Sequence, residues 1–143
     1  MPWLSRGIVG ALLYYARTVD NKLLVGLSAI GSQQASATQR TNEVIDQILF
    51  KCATYPAGGI LYRSSDMVLC AHSNAGFQNE SKGRSRYGGH ILLSKNDAMP
   101  RWNGPVLTLA KIIKFVMSSA SEAELGAMFI TAQEMVAMRQ TLQ

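Results

Sequence analysis

Along the first sixty residues the apolar positions recur with a helical period. Ile8, Leu12, Leu13 and Tyr15 mark a first helix, with Ser5 placed to cap it. Leu23, Leu24, Leu27 and Ile30 mark a second, capped by Asp20 or Asn21. The run 31–41 is polar and has no apolar period. Val44, Ile45, Ile48 and Leu49 then form the stripe of a third helix. Tyr55-Pro56-Ala57-Gly58-Gly59 ends it, because proline cannot continue a helix and glycine permits a turn. Beyond this point the period changes. Residues 59–63 are short and β-prone, and 67–73 are apolar on both faces, as a strand inside a sheet is. Residues 88–94 and 106–110 read as further strands. One connecting loop carries Lys82, Arg84 and Arg86, and another covers 95–105. Ser119-Ala120-Ser121-Glu122 is a capping-box pattern, in which Ser119 accepts from a first-turn amide and Glu122 reaches back. It predicts a last helix through Leu125, Met128, Phe129, Ala132, Met135, Val136 and Met138 to about Thr141.

This order predicts an α+β protein. A helical segment, 1–58, precedes a unit over 59–143 that holds a mainly antiparallel sheet of three to four strands, with the final helix packed across it. The 143 residues match one ordinary domain, and a hydrophobic share of 48% argues against disorder. Only 16% of residues are charged, against about 25% in soluble domains. The apolar stretch 8–16 is far shorter than the ~20 residues of a membrane-spanning helix. It is read as part of an amphipathic helix rather than a signal peptide, since Arg17 follows at once. No membrane partner is therefore expected. Cys52 and Cys70 supply no disulfide framework and read as buried thiols in a reducing compartment. That points to the cytoplasm or nucleus rather than to secretion. The charge is concentrated: 82–114 carries seven Lys or Arg against one acid, Asp97, while the whole chain has a net charge of +5. Such a region attracts nucleic-acid phosphates, or else solvates loops and a strand edge.

Candidate chemistry is sparse. The histidines are His72 and His90, no G-x-S-x-G elbow occurs, and Cys70 with His72 lacks the second ligand pair a metal site needs. Cys70 and His72 are both read as buried strand residues. Gly58-Gly59 and Gly88-Gly89 lack the helix and lysine of a phosphate loop and are read as turns. Glu122 and Glu124 fall in the first turn of the predicted last helix. Glu124 either complements the helix dipole or projects toward Ser73-Asn74-Ala75-Gly76-Phe77, where the buried strand leaves the sheet.

Several strings occur together in a recognisable order. They are Gly7-Ile8-Val9-Gly10-Ala11-Leu12-Leu13-Tyr14-Tyr15-Ala16-Arg17, Val19-Asp20, Leu27-Ser28, Ser65-Asp66-Met67-Val68-Leu69, His72-Ser73-Asn74-Ala75, Ser85-Arg86-Tyr87-Gly88-Gly89 and Ser118-Ser119-Ala120-Ser121-Glu122-Ala123-Glu124-Leu125. Over nearly its whole length the chain resembles part of the Pol polyprotein of copia-type retrotransposons. The resemblance spans the end of the reverse transcriptase with its connection and the first part of the ribonuclease H domain. It implies an incomplete α/β ribonuclease H-like fold over 59–143.

In that family four carboxylates hold two Mg²⁺ ions that activate water and stabilise the leaving oxygen of an RNA phosphodiester. The first is the aspartate of an H-S-D-A string, where this chain has Asn74; the second is the glutamate of A-E-L, which Glu124 matches. The last two lie beyond the chain, and the polymerase Y-x-D-D is absent. A neutral amide is a poor substitute for a bridging carboxylate at a hard cation. The resemblance therefore implies a catalytically inactive remnant with no cofactor of its own, although the family uses Mg²⁺. Its partners would be an RNA–DNA hybrid or other nucleic acid, and the remaining Pol segments. The alternative is a retained non-catalytic module that binds nucleic acid or protein through Lys82, Arg84, Arg86, Lys111 and Lys114. The low charged fraction then reflects surfaces meant to be covered by the rest of a polyprotein.

Overall fold

The computed structural model describes residues 2–98 and 101–142, with side chains described from residue 7 onward. The chain divides into two compact units, 1–60 and 61–143.

In the first unit, α1 (Pro2–Thr18), α2 (Leu24–Ser32) and α3 (Gln39–Thr54) follow the predicted stripes. Ser5 lies inside α1 rather than ahead of it. Asp20 caps the short turn before α2, its Oδ1 accepting from the Lys22 N–H at 3.1 Å. Ala16, Leu23, Leu24, Leu27, Ile30, Ile45 and Ile48 form the buried core. Leu49 is exposed, because its place on the stripe lies beyond the face that α3 turns inward. The polar run holds a helical turn, 34–36, and a side-chain junction. The Thr41 hydroxyl accepts from the Thr38 N–H at 3.1 Å and donates to Gln33 Oε1 at 2.9 Å. This starts α3 without an acidic cap.

The second unit is an antiparallel sheet of β1 (Val68–Glu80), β2 (Arg84–Ser94) and β3 (Pro105–Val116), in that spatial order, followed by α4 (Ala120–Thr141). β1 and β3 are thus edge strands among the described residues. Two strand expectations need correction. Residues 59–63 form no strand: the backbone of Arg63 pairs with the Asn103 side chain, its N–H donating to Oδ1 at 2.8 Å and its carbonyl accepting from Nδ2 at 3.0 Å. The loop expected around Lys82, Arg84 and Arg86 shrinks to a tight tip at 81–83, where Lys82 and Gly83 adopt φ of 62° and 66°. β1 therefore runs well past Ser73.

The register slips between Gly76 and Glu80. Side chains close this bulge: Asn79 Oδ1 accepts from the Arg86 N–H at 2.8 Å, and Ser85 Oγ from the Gln78 N–H at 3.1 Å. A Cβ on Gly76 would sit 2.2 Å from Asn79 Nδ2, so any larger residue there would displace the Asn79 side chain that closes the bulge.

Strand alternation puts Ala75, Tyr87, Leu109 and Ile113 on the face that α4 covers with Ala123, Ala127 and Thr131. Gly88-Gly89 is no turn but mid-strand, beneath this helix. A Cβ on Gly89 would lie 3.0 Å from Thr131 Oγ1. The outer side of α4 leaves Leu125, Met128, Phe129 and Val136 exposed. No helix among the described residues is long and apolar enough to cross a membrane.

Candidate functional site

The capping box at the start of α4 forms with one change. Ser119 Oγ accepts from the Glu122 N–H at 3.1 Å as expected. Glu122 reaches one residue further back, however, and accepts from both the N–H (2.6 Å) and the hydroxyl (2.5 Å) of Ser118. These two bonds hold its carboxyl below the usual range.

With the helix start fixed, Glu124 falls just beyond the first turn and points at β1. Its Oε2 accepts from the Ala75 N–H at 3.1 Å, across a separation of 49 residues. In an antiparallel edge strand, successive N–H groups point alternately to the neighbour and outward. Ala75 N–H points outward, so Asn74 and Gly76 direct theirs to β2. Glu124 thus caps one donor of an otherwise open edge, next to Asn74. Asn74 itself is exposed, opposite Gly88, on the strand position whose side chain alternates away from α4.

This donor set does not fit a Mg²⁺ pair. Glu124 is one carboxylate with an oxygen committed to a backbone amide, and Asn74 brings a neutral amide. No group of three or more His, Cys, Asp or Glu among the described residues is arranged to hold a metal.

The basic residues singled out from the sequence are dispersed. Lys82 is at the hairpin tip. Arg84 donates from Nε to the Ser81 carbonyl and from Nη2 to the Ser81 hydroxyl. Arg86 is not available to a ligand: its side chain is 9% exposed and its guanidinium is paired with Glu80. Lys111 lies on the helix side, 3.3 Å from Glu134. Lys114 is exposed on the opposite face. They make no single patch.

His72 differs from expectation too. His72 and His90 stand opposite one another on β1 and β2, and both are exposed. No strand or helix of the unit covers their side of the sheet, so they are not core residues. His72 stacks on Trp102, with ring centroids 4.1 Å apart. His90 Nδ1 lies 3.2 Å from the Thr108 hydroxyl. Loss of solvent around its ring, and then the neighbouring His72, push the His90 pKa below 6.5. Cys70, one step along the same side of β1, is half-buried.

Cavities lie away from Asn74 and Glu124, and two of them gather charged side chains of the kind a ligand would meet. The larger, about 630 Å³ in the helical unit, is lined by Asp20, Lys22, Lys51 and the turn 55–60, so its charges are mixed. The smaller, about 110 Å³ in the sheet unit, brings together Arg63, Lys95 and Arg101. In the sequence Lys95 and Arg101 belong to the basic stretch but fall in a loop. Arg63 lies outside that stretch, and only the folded chain joins the three. Compared with protein-family models, with curated proteins and with solved structures, the chain matches none.

Proposed function

We propose that this chain is a segment of a copia-type retrotransposon Pol, covering the end of the reverse transcriptase region and the first part of the ribonuclease H domain. By itself it neither polymerises DNA nor cleaves RNA–DNA hybrids. One observation carries the reading: the Glu124 carboxylate bonds the Ala75 N–H, immediately beside Asn74. The resemblance places Glu124 and Asn74 in one site, and a separation of 49 residues gives no local reason for Glu124 to reach the backbone next to Asn74. The three-stranded antiparallel sheet followed by a helix is consistent with the same reading.

Inactivity follows from the chemistry of the residues present. Two-metal hydrolysis needs several anionic oxygens held around two cations. Here one carboxylate is tied to backbone, its neighbour is an amide, and the two further acids of the family pattern are not among the 143 residues. The test is incubation of the purified chain with an RNA–DNA hybrid and Mg²⁺. No cleavage above background is expected, and none from Asn74→Asp, which restores one acid of four. Cleavage by the unaltered chain refutes the inactivity, and cleavage by Asn74→Asp alone refutes the argument that one restored acid is insufficient. The family reading has its own test in the flanking genomic DNA, where an upstream frame encoding Y-x-D-D is expected. Unrelated coding sequence on both sides would refute it.

A further inference from the structure

We infer that the small cavity beside the start of β1 is a binding site for a phosphate group carried on a nucleotide or polynucleotide. The inference does not rest on the retroelement reading and concerns residues remote in sequence from Asn74 and Glu124.

The site begins with charge. Arg63, Lys95 and Arg101 come from two separate stretches: the segment before β1, and the two ends of the loop that joins β2 to β3. Three cations facing one concavity repel one another unless an anion joins them. No carboxylate lines the wall among the described residues. The nearby Asp66 is engaged elsewhere, its Oδ2 accepting from the Asn96 N–H at 2.9 Å. Ser64 and Ser65 add hydroxyls to the lining. The volume, about 110 Å³, equals three or four waters at roughly 30 Å³ each, which suits one tetrahedral oxyanion with a little water.

The walls are also fixed before any ligand arrives. Asn103 uses both ends of its amide: Oδ1 accepts from the N–H groups of Arg63 and Gly104, and Nδ2 donates to the carbonyls of Arg63 and Leu93. This holds the Arg63 backbone against the chain leading into β3. The hydroxyl of Ser94, 1% exposed, donates to the Arg101 carbonyl at 3.1 Å. Both arginines are therefore held through their backbones, leaving their guanidinium groups for recognition. Arginine binds phosphate oxygens through paired N–H donors.

Trp102 identifies what the phosphate is attached to. One face of its ring rests on His72, yet the residue is 67% exposed. A braced indole beside a phosphate-sized basic pocket is a stacking platform for a base.

The test uses the full chain and follows backbone amides and the Trp102 indole N–H by NMR. The probes are orthophosphate, a mononucleotide and a labelled single-stranded oligonucleotide. Saturable shifts at Arg63, Lys95, Arg101 and Trp102 are expected. Shifts with the mononucleotide and the oligonucleotide alike mark a nucleotide site, and shifts with the oligonucleotide alone mark a polynucleotide site. Perturbation by orthophosphate that leaves Trp102 unmoved by either larger probe refutes the base-stacking assignment. The charge-neutral variant R63Q/K95Q/R101Q should bind the oligonucleotide at least ~10-fold more weakly at low salt. Its slope of log affinity against log salt should become shallower by about 0.7, because the pocket neutralises one phosphate and each neutralised phosphate on a single strand contributes roughly that much. Loss on K82Q/K114Q with none on the triple variant overturns the proposal. So does an absence of shifts around the pocket in the unaltered chain, whatever the variants do.

Discussion

Substituting Glu124→Ala tests whether its carboxylate guards the open edge of β1. In the folded chain Oε2 lies 3.1 Å from the Ala75 nitrogen, and both residues are reached by solvent. A hydrogen bond to a charged group contributes about 1.5–3 kcal/mol, and exposure reduces this, because the freed amide is rehydrated. We take about 1 kcal/mol. Each 1.4 kcal/mol is tenfold in an equilibrium constant, so the Ala75 amide should exchange with solvent roughly fivefold faster in the variant. The amides of Asn74 and Gly76 point into the ladder with β2 and should keep their rates. Glu124→Gln retains an acceptor oxygen without the charge and should fall between. Native-state hydrogen exchange followed by NMR reads each amide separately. An unchanged Ala75 rate in Glu124→Ala would refute the reasoning. Equal acceleration along all of β1 would refute it too, since that marks general destabilisation rather than removal of one cap.

Three further outcomes follow from the sheet unit. Asn103→Ala removes four hydrogen bonds at once and should cost about 2–3 kcal/mol; trypsin should then cut after Arg63 much faster than in the unaltered chain. Thr131→Val should stabilise by roughly 1 kcal/mol, because the buried Thr131 hydroxyl has no hydrogen-bond partner among the described residues, and a higher unfolding midpoint checks it. Glu122 has its pKa lowered from 4.5 by the Ser118 hydroxyl and N–H. Its contribution is therefore present above the ordinary carboxyl range and lost as pH falls through the lowered value. Fraying of the α4 start on acidification should move to higher pH in Ser118→Ala, as read by the chemical shifts of 119–124.

The legible parts of the fold were those written in local chemistry. The helices of the first unit follow from apolar spacing, and the start of α4 from Ser119 and Glu122. β1 was half legible. Met67–Ser73 is apolar and β-prone, but Asn74-Ala75-Gly76-Phe77-Gln78-Asn79 carries turn-forming residues. That stretch is held in the strand by pairing with β2 and by Asn79 and Ser85 closing the bulge. The burial of Arg86 was hidden for a related reason, since its partner Glu80 comes near only when the hairpin closes. Residues 59–63 have β propensity, yet the hydrogen-bonding partner of Arg63 is the Asn103 side chain and not a strand. At the candidate site, spacing alone left Glu124 between two readings, and the contact at Ala75 is a tertiary fact. The cluster of Arg63, Lys95 and Arg101 has no sequence signature, because two segments remote in the chain supply it.

Asn103 also sets a chemical clock. It precedes Gly104, and an asparagine followed by glycine is prone to lose its side-chain nitrogen as ammonia through a cyclic imide. In the folded chain the Nδ2 at risk is the donor to the carbonyls of Arg63 and Leu93. Deamidation would set a carboxylate oxygen against those two carbonyl oxygens, turning a clasp into a repulsion. Ageing of this protein would then begin at one amide, release the segment before β1, and leave a product one charge more negative.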